Sequence, residues 1–283
     1  MHIIKNLIIE GKYNKPVVAD VFYQQAAGMQ PVVIYAHGIN GFKDWGNFDL
    51  IALQFAAAGF CFVKFNFSHN GTSPQMPADF VDLEAYSNDN YTIQLDDLDT
   101  IIDWTLSRDN DYTPFIDTNN VTLLGHSKGG GMVLLKAAED IRINKVVTWA
   151  AVSECKTPWG RWEEARMAAW KDEGITHLVN GRTQQQMPLK YQLYENYTAN
   201  KERLSIERAI KSLDIPILIC HGKQDPAVPV DTAVQLYDWQ PKAELFVVDG
   251  DHVFDRRHPW HEETLPDSAQ KVVDKTIDFL QKV

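Results

Sequence analysis

The chain has 283 residues, of which 45% are apolar and 23% charged, and its formal net charge is −11. This composition is typical of a folded globular protein, and the acidic balance disfavours nucleic acid and anionic membranes as partners. With no apolar run near the ~20 residues that cross a bilayer, no secretory signal pattern and three scattered cysteines, we expect a cytoplasmic protein with buried free thiols.

Short apolar runs alternate with longer helical patterns along the chain. Segment 15–24 alternates like a strand with one exposed face. Continuous apolar runs, typical of strands covered on both faces, occupy 31–38, 60–68, 120–127, 145–152, 215–222 and 243–250. Helical patterns occupy 47–59, 93–106, 128–141, 206–213, 230–240 and 268–283. This alternation predicts an α/β fold with a mostly parallel sheet and helices on both faces.

One charged segment, 153–212, interrupts the alternation. Its first part has the pattern of an amphipathic helix that ends at Gly174. Long insertions in compact domains are usually functional caps or loops with their own packing. We therefore divide the chain into an α/β core, 1–152 and 213–283, and a cap, 153–212. The tryptophans of the cap are Trp159, Trp162 and Trp170.

The stretch 125–129, Gly-His-Ser-Lys-Gly, places Ser127 between an apolar strand pattern and a helical pattern. In this context the G-x-S-x-G motif indicates a sharp turn that exposes a nucleophilic serine above the sheet. A phosphate-binding turn is disfavoured, because neither the P-loop nor the dinucleotide pattern of glycines occurs here.

A serine nucleophile needs a general base and a group that orients the base. Asp225 follows the strand pattern 215–222, and His252 follows the strand pattern 243–250. Functional groups of open α/β sheets collect at the carboxyl ends of the strands, so these two residues are the preferred acid and base. The rival acids are Glu154, Asp249 and Asp251, and the rival histidines are His258 and His261.

Attack on an ester carbonyl creates an oxyanion that backbone amides can stabilise. We expect one donor to be the amide of Lys128, directly after the nucleophile. The second is expected from the glycine-containing loop 37–41, with the amide of Ile39 as our choice.

Five motifs together resemble the α/β-hydrolase superfamily, in particular bacterial carboxylesterases, cinnamoyl or feruloyl esterases, and the hydrolase domains of the prolyl-oligopeptidase family. They are HGINGFKDW (37–45), FNFSHNGTSP (65–74), GHSKGG (125–130), HGKQDPAVP (221–229) and GDHVF (250–254). The resemblance implies the α/β-hydrolase fold with a helical cap between strands six and seven, and a triad of Ser127, Asp225 and His252. The loop 68–71 departs from the pattern of relatives, so it predicts nothing about substrate.

The residue at position 127 separates subfamilies of this fold. Dienelactone hydrolases have cysteine there, and dehalogenases and epoxide hydrolases have aspartate, so both are disfavoured by Ser127. The sequence predicts a serine carboxylesterase for small or aromatic acyl groups, with an acyl-enzyme intermediate. A peptidase of the prolyl-oligopeptidase type and a hydrolase-like binding protein without activity are the alternatives.

The expected partner is a small-molecule ester, with no nucleic acid and no membrane. The sequence is compatible with a homodimer and leaves the oligomeric state undetermined. No cofactor and no metal are expected: the segment 261–265, HEETL, lacks the second histidine of a zinc-protease helix. Trp159 and Trp162 are predicted to line the acyl pocket, the alternative being that they form the core of the cap itself.

Overall fold

One mixed sheet organises the molecule, in a computed structural model that describes residues 1–25 and 28–282. The described strands are β1 (His2–Ile9), β2 (Val17–Tyr23), β3 (Gln30–Ala36), β4 (Cys61–Asn66), β5 (Ile116–His126), β6 (Ile143–Trp149), β7 (Ile175–Val179), β8 (Gln186–Lys190), β9 (Ile217–Gly222) and β10 (Glu244–Val248). The central sheet has the order β1-β2-β4-β3-β5-β6-β9-β10. β2 is antiparallel to both its neighbours, and the pairs from β4 to β10 are parallel.

Helices cover both faces of this sheet. They are α1 (Phe48–Ala57), α2 (Leu83–Asn88), α3 (Tyr91–Leu106), α4 (Lys128–Glu139), α5 (Glu164–Glu173), α6 (Gln192–Ala199), α7 (Ile206–Ser212), α8 (Asp231–Trp239) and α9 (Asp267–Gln281). Val33 and Tyr35 of β3 pack in one apolar cluster with α1 and α9, whereas Val32 and Ile34 pack in another with α3, α4 and α8. Because successive side chains point to opposite faces, a strand covered on both sides must be apolar throughout.

The predicted mostly parallel sheet with helices on both faces is therefore confirmed. Each of the six continuous apolar runs corresponds to one strand between β3 and β10, and each helical pattern corresponds to one helix. The predicted end of the last helix at residue 283 lies outside the described residues. The amino-terminal strand β1, at the sheet edge, was not predicted, because its apolar pattern is short and only one of its five apolar residues is buried.

The prediction of an exposed face for the strand 15–24 is wrong. Every residue of β2 is buried, since α1 and α3 pack against it from the two sides. The misleading residue is Asp20, which is completely buried and accepts an ion pair at 2.8 Å from Lys43 and two at 3.1 Å from Lys5 and Lys64. A buried carboxylate is tolerated when cations pair with it, so a polar residue in a strand does not by itself indicate exposure.

The cap segment 153–212 lies between β6 and β9, which are the sixth and seventh strands of the central sheet in chain order. Its helix α5 ends at Gly174, which has a φ of 72°, as the sequence predicts. The cap also contains an unpredicted antiparallel hairpin of β7 and β8. The indole of Trp170 donates a hydrogen bond to the Leu189 carbonyl at 2.8 Å and so fastens α5 to this hairpin.

The three cysteines are buried and unpaired, as predicted. Burial raises the pKa of Cys61, Cys155 and Cys220 to about 12 each, so these thiols stay protonated at neutral pH. Within the described residues, no helix combines the length and the hydrophobicity that crossing a membrane requires.

Candidate active site

Ser127 stands in the sharp turn between β5 and α4. Its backbone has φ 56° and ψ −123°, a strained conformation for a residue with a side chain. The turn needs glycine on both sides of the serine. A Cβ added to Gly125 would lie 2.3 Å from the Gly129 carbonyl oxygen, and a Cβ added to Gly129 would lie 2.4 Å from the Ala36 carbonyl oxygen. The sequence motif thus corresponds to a turn that no bulkier residues could form.

The structure brings Ser127, His252 and Asp225 into one chain of hydrogen bonds. Nε2 of His252 lies 3.0 Å from the Ser127 hydroxyl, and Nδ1 lies 2.7 Å from Oδ2 of Asp225. Asp225 follows β9 and His252 follows β10, and these strands are parallel neighbours. With Nδ1 protonated, Nε2 is left free to accept the serine proton.

Asp225 is held by four donors. The amides of Ala227 and Val228 donate to Oδ1 at 2.8 Å each. Oδ2 receives His252, and Nε2 of His221 lies 3.2 Å away. Burial alone would raise the pKa of Asp225, but the hydrogen bonds from His221 and His252 outweigh it and hold that pKa well below its usual range.

The rival residues are engaged elsewhere. Asp251 accepts hydrogen bonds from the amides of Val253 and Asp255 in its own loop, and Glu154 pairs with Lys156 at 2.7 Å. His258 accepts a hydrogen bond from the Gly46 amide at 3.1 Å. Asp249 lies 3.4 Å from the Gln224 side chain, and His261 is exposed.

The two expected oxyanion donors lie close to the serine along the chain or in space: Lys128 directly follows Ser127, and Ile39 follows Gly38, which packs against Ser127. Among the described residues, neither the Ile39 nor the Lys128 amide has a hydrogen-bond partner. The loop of Ile39 touches the nucleophile directly, because a Cβ added to the adjacent Gly38 would lie 2.9 Å from Cβ of Ser127. Unpartnered amides beside a nucleophile are what oxyanion stabilisation requires.

His37 helps to hold the loop 37–41 in place. Burial lowers the pKa of His37 to about 4, so the ring is neutral at pH 7. Its Nδ1 donates to the Gly38 carbonyl at 2.8 Å, which leaves Nε2 to accept from the Phe67 amide at 3.4 Å and the Asn70 side chain at 3.5 Å. Asn70 also donates to the Gly41 carbonyl at 3.3 Å.

A second histidine, His126, supports the loop that contains His252. Its Nε2 lies 2.8 Å from the His252 carbonyl oxygen, and the two rings are 4.9 Å apart. Burial lowers the pKa of His126 well below its usual value. A neutral ring in this position donates its Nε2–H to the carbonyl and so fixes the backbone of His252.

Ser127 and His252 line a cavity of about 600 Å³. Other lining residues come from the loop 37–41, from two parts of the cap and from the loops after β9 and β10. This volume is in the ordinary range for small-molecule sites. The cavity therefore has room for an ester whose carbonyl carbon meets the serine.

The prediction that Trp159 and Trp162 line this cavity is corrected by the structure. Neither is among the described lining residues. The Trp159 ring lies 5.9 Å from those of Trp170 and Tyr91, and the Trp162 ring lies 5.3 Å from that of Trp170. These large rings are needed to fill the core of the cap, which is the alternative that the sequence left open.

Sequence reasoning missed the residues that support the triad. His221 and Asn70 stand inside motifs that carried the family resemblance, and His126 occupies the variable position of the G-x-S-x-G motif. The sequence therefore showed these residues but not their supporting roles, because each contact joins loops that are distant along the chain.

Residues 19–240 match the family model BD-FAE. A segment covering 42% of this chain is 30% identical to the quorum-quenching protein AidA of Acinetobacter baumannii (strain MDR-ZJ06), and the match spans about a third, 34%, of that relative's own length.

Solved structures of similar fold cover nearly the whole chain. α/β hydrolase GrgF from Penicillium sp. sh18 has 13% identity and a TM-score of 0.74, with 100% of this chain and 99% of that chain covered. Est1E from Butyrivibrio proteoclasticus has 16% identity and a TM-score of 0.68, with 99% and 100% covered. Est1E has also been solved with ferulic acid bound. At such identities the likeness concerns the fold, not the substrate.

Proposed function

The chain belongs to the BD-FAE family and has the α/β-hydrolase fold, and on this premise we propose that it is a serine carboxylesterase. The observation that carries the proposal is the hydrogen-bonded series Ser127–His252–Asp225 on the wall of the 600 Å³ cavity, next to two unpartnered amides. Its substrates are carboxylic esters of small or aromatic acids. The ferulic acid bound to Est1E supports the inclusion of aromatic acyl groups.

In the first half of the reaction, Nε2 of His252 accepts the Ser127 proton as Oγ attacks the ester carbonyl. Asp225 keeps the ring in the tautomer with Nδ1 protonated and stabilises the imidazolium that forms. The amides of Ile39 and Lys128 donate to the oxyanion, and each such donor typically lowers the barrier by about 3 kcal/mol. His252 then returns its proton to the departing alcohol, leaving an acyl group on Ser127.

In the second half, water replaces the alcohol. His252 takes a proton from the water as its oxygen attacks the acyl carbonyl, and the same two amides stabilise the second oxyanion. Collapse of this intermediate releases the carboxylic acid, and Ser127 regains its proton from His252. No metal or organic cofactor takes part in this proposed cycle, and the expected location of the enzyme is the cytoplasm.

The test combines a fluorophosphonate probe with a panel of nitrophenyl esters of graded chain length and aromaticity. We expect the wild type to be labelled and to hydrolyse esters, and Ser127→Ala to lose labelling and at least about 10³-fold in kcat. Ser212→Ala is the matched control, because Ser212 is an exposed serine at the end of α7 and is not among the described residues that line the cavity; it should keep both properties.

Two outcomes would contradict the proposal. Absence of labelling in folded wild type would favour a binding protein without activity. Faster cleavage of aminoacyl amides than of the matched esters would favour a peptidase of the prolyl-oligopeptidase type.

A further inference from the structure

The wall of the catalytic cavity contains a buried arginine without an acidic partner. Arg256 lines the cavity and is only 4% exposed. Its Nε donates to the Val253 carbonyl at 3.1 Å, but Nη1 is inaccessible and has no hydrogen-bond partner among the described residues. Within the described parts of the chain, no carboxylate lies within ion-pair distance of this guanidinium.

The neighbours of Arg256 reduce the cost of its charge without supplying acceptors. The guanidinium lies 5.1 Å from the Phe48 ring centroid and 5.6 Å from that of Trp45. Ring faces attract a cation, but they leave four of the five N–H donors without a conventional acceptor. Burial lowers the pKa of Arg256, yet arginine remains protonated in proteins, so a buried positive charge stands in the wall of the site.

The other unpaired charges that line the cavity, among the described residues, are also positive. Arg161 and Arg182 line it from the cap, and neither has an acidic partner among the described residues. The charged lining residues Glu154 and Lys156 neutralise each other at 2.7 Å. Three unpaired arginines thus converge on one cavity in a chain whose net charge is −11. A local field opposite to the net charge concentrates anions at that place.

Resting on the proposed esterase function, we propose that the ester substrate also carries a free carboxylate, which Arg256 binds inside the cavity. The planar fork of a guanidinium matches the two oxygens of a carboxylate and forms paired, charge-assisted hydrogen bonds with it. Ser127 and Arg256 line the same cavity of about 600 Å³, so the proposal requires a substrate long enough to reach both. Arg161 and Arg182, which are exposed at its rim, attract the anion as it enters.

The test compares esters that differ only in the charge of one group. On the acyl side the pair is mono-4-nitrophenyl adipate and 4-nitrophenyl hexanoate; on the alcohol side it is 4-acetoxybenzoate and 4-acetoxybenzamide. We expect the wild type to favour the carboxylate member of at least one pair by about tenfold or more in kcat/KM. This preference should fall with rising ionic strength.

Arginine substitutions identify the residue responsible. In Arg256→Gln the ratio of kcat/KM between the carboxylate ester and its neutral partner should fall about tenfold, and in Arg182→Gln by a smaller factor. Arg208→Gln is the matched control, since Arg208 is an exposed arginine on α7 outside the cavity, and its ratio should equal that of the wild type. An equal effect of Arg256→Gln on both members of each pair would overturn the proposal.

Since Arg256 also holds the carbonyl next to His252, fluorophosphonate labelling checks that Arg256→Gln keeps a reactive Ser127. If it does not, inhibition of the wild type decides: benzoate should compete with a neutral ester at least about tenfold better than benzamide, and equal inhibition would contradict the proposal. Wild type that hydrolyses neutral esters but shows no carboxylate preference would remove this inference and leave the esterase. Wild type that hydrolyses no ester and is not labelled would remove the esterase itself.

Discussion

Asp225, the proposed acid of the triad, is positioned by several neighbouring groups besides His252. Its carboxylate accepts two backbone amides on one oxygen and two histidines on the other. His221 is completely buried, and its Nε2 also lies 2.9 Å from the Val228 carbonyl oxygen. This arrangement ties the acid to its own loop and aims the remaining lone pair at His252.

His221 is therefore expected to act as a positioning residue. We predict that His221→Asn lowers kcat by about tenfold to a hundredfold, because small displacements of a catalytic group have effects of this size, while KM changes by less than about threefold. Steady-state kinetics with a nitrophenyl ester measure both constants. The control His177→Asn alters an exposed histidine of β7 and should leave both unchanged. A rise in KM with constant kcat would contradict the positioning role.

At the scale of single residues, the sequence predicted three side chains that the structure brings into contact, but it did not predict the residues that surround them. Ser127, Asp225 and His252 each follow a recognisable strand pattern, so their positions could be predicted from local sequence. Arg256 could not be singled out, because its isolation depends on which carboxylates fail to reach it in three dimensions. Trp159 and Trp162 are suitable residues for an aromatic pocket, but in the structure they pack against Trp170 in the core of the cap.

The element on which the site depends most is the turn from β5 to α4. Its tight geometry brings the start of α4 against the end of β3, where the Gly129 backbone has no space for a side chain. A Cβ at position 129 would meet backbone atoms of Ala36 and His37. Backbone atoms cannot move aside as a flexible side chain can.

We predict that Gly129→Ala costs about 3 kcal/mol of unfolding free energy or more, since overpacking against backbone is among the most destabilising substitutions. Urea unfolding measures the change. Gly181→Ala is the control: Gly181 lies at the hairpin of the cap, and an added Cβ there meets nothing within 4 Å, so the expected change is within about 0.5 kcal/mol. Equal stability of the two variants would show that the turn is less tight than described.

The cap hairpin marks the limit of element prediction. Each of its strands has five residues of mixed polarity, and so short a pattern does not indicate a strand. The hairpin is stabilised from outside, by Trp170 of α5 and by packing of α2 against β8. A strand that is stabilised by such distant partners cannot be predicted from its own sequence.

At the scale of the whole molecule, buried ionisable groups link stability to pH in opposite directions. The pKa values of His37 and His126 are lowered by burial. As the pH falls below about 6.5, the unfolded chain protonates these rings and the folded chain does not, so the folded state becomes less stable. Asp97 of α3 behaves in the opposite way. Burial, with smaller contributions from the charges of Asp89 and Asp96, raises its pKa to about 7, although Ser68 donates two hydrogen bonds to Oδ2.

The folded chain therefore keeps a proton on Asp97 that the unfolded chain releases above about pH 4. This contribution to stability is present at low pH and is lost as the pH rises through 7. Above that pH the carboxylate is charged, with an inaccessible Oδ1 that has no hydrogen-bond partner. The charge on Asp97 therefore lowers the stability of the folded state at pH 8.

We predict that Asp97→Asn gains stability relative to the wild type between pH 5 and pH 8, by about 2–4 kcal/mol, because one pKa unit is worth about 1.4 kcal/mol. Urea unfolding of both proteins at the two pH values measures this difference, from which the histidine contributions cancel. Asp109→Asn, at an exposed aspartate, should show no such trend. A difference that is independent of pH would mean that Asp97 titrates normally.

The sequence by itself determined the alternation of strands and helices in the core, the mostly parallel sheet, and the places of Ser127, Asp225 and His252 at strand ends, because these follow from residue periodicity and from local motifs. Only the tertiary structure decided which groups support or oppose one another: the two histidines behind the triad, the burial of β2 around Asp20, and the isolation of Arg256. Burial and electrostatic pairing are sums over neighbours that are distant in the sequence, and those neighbours are known only when the chain has folded.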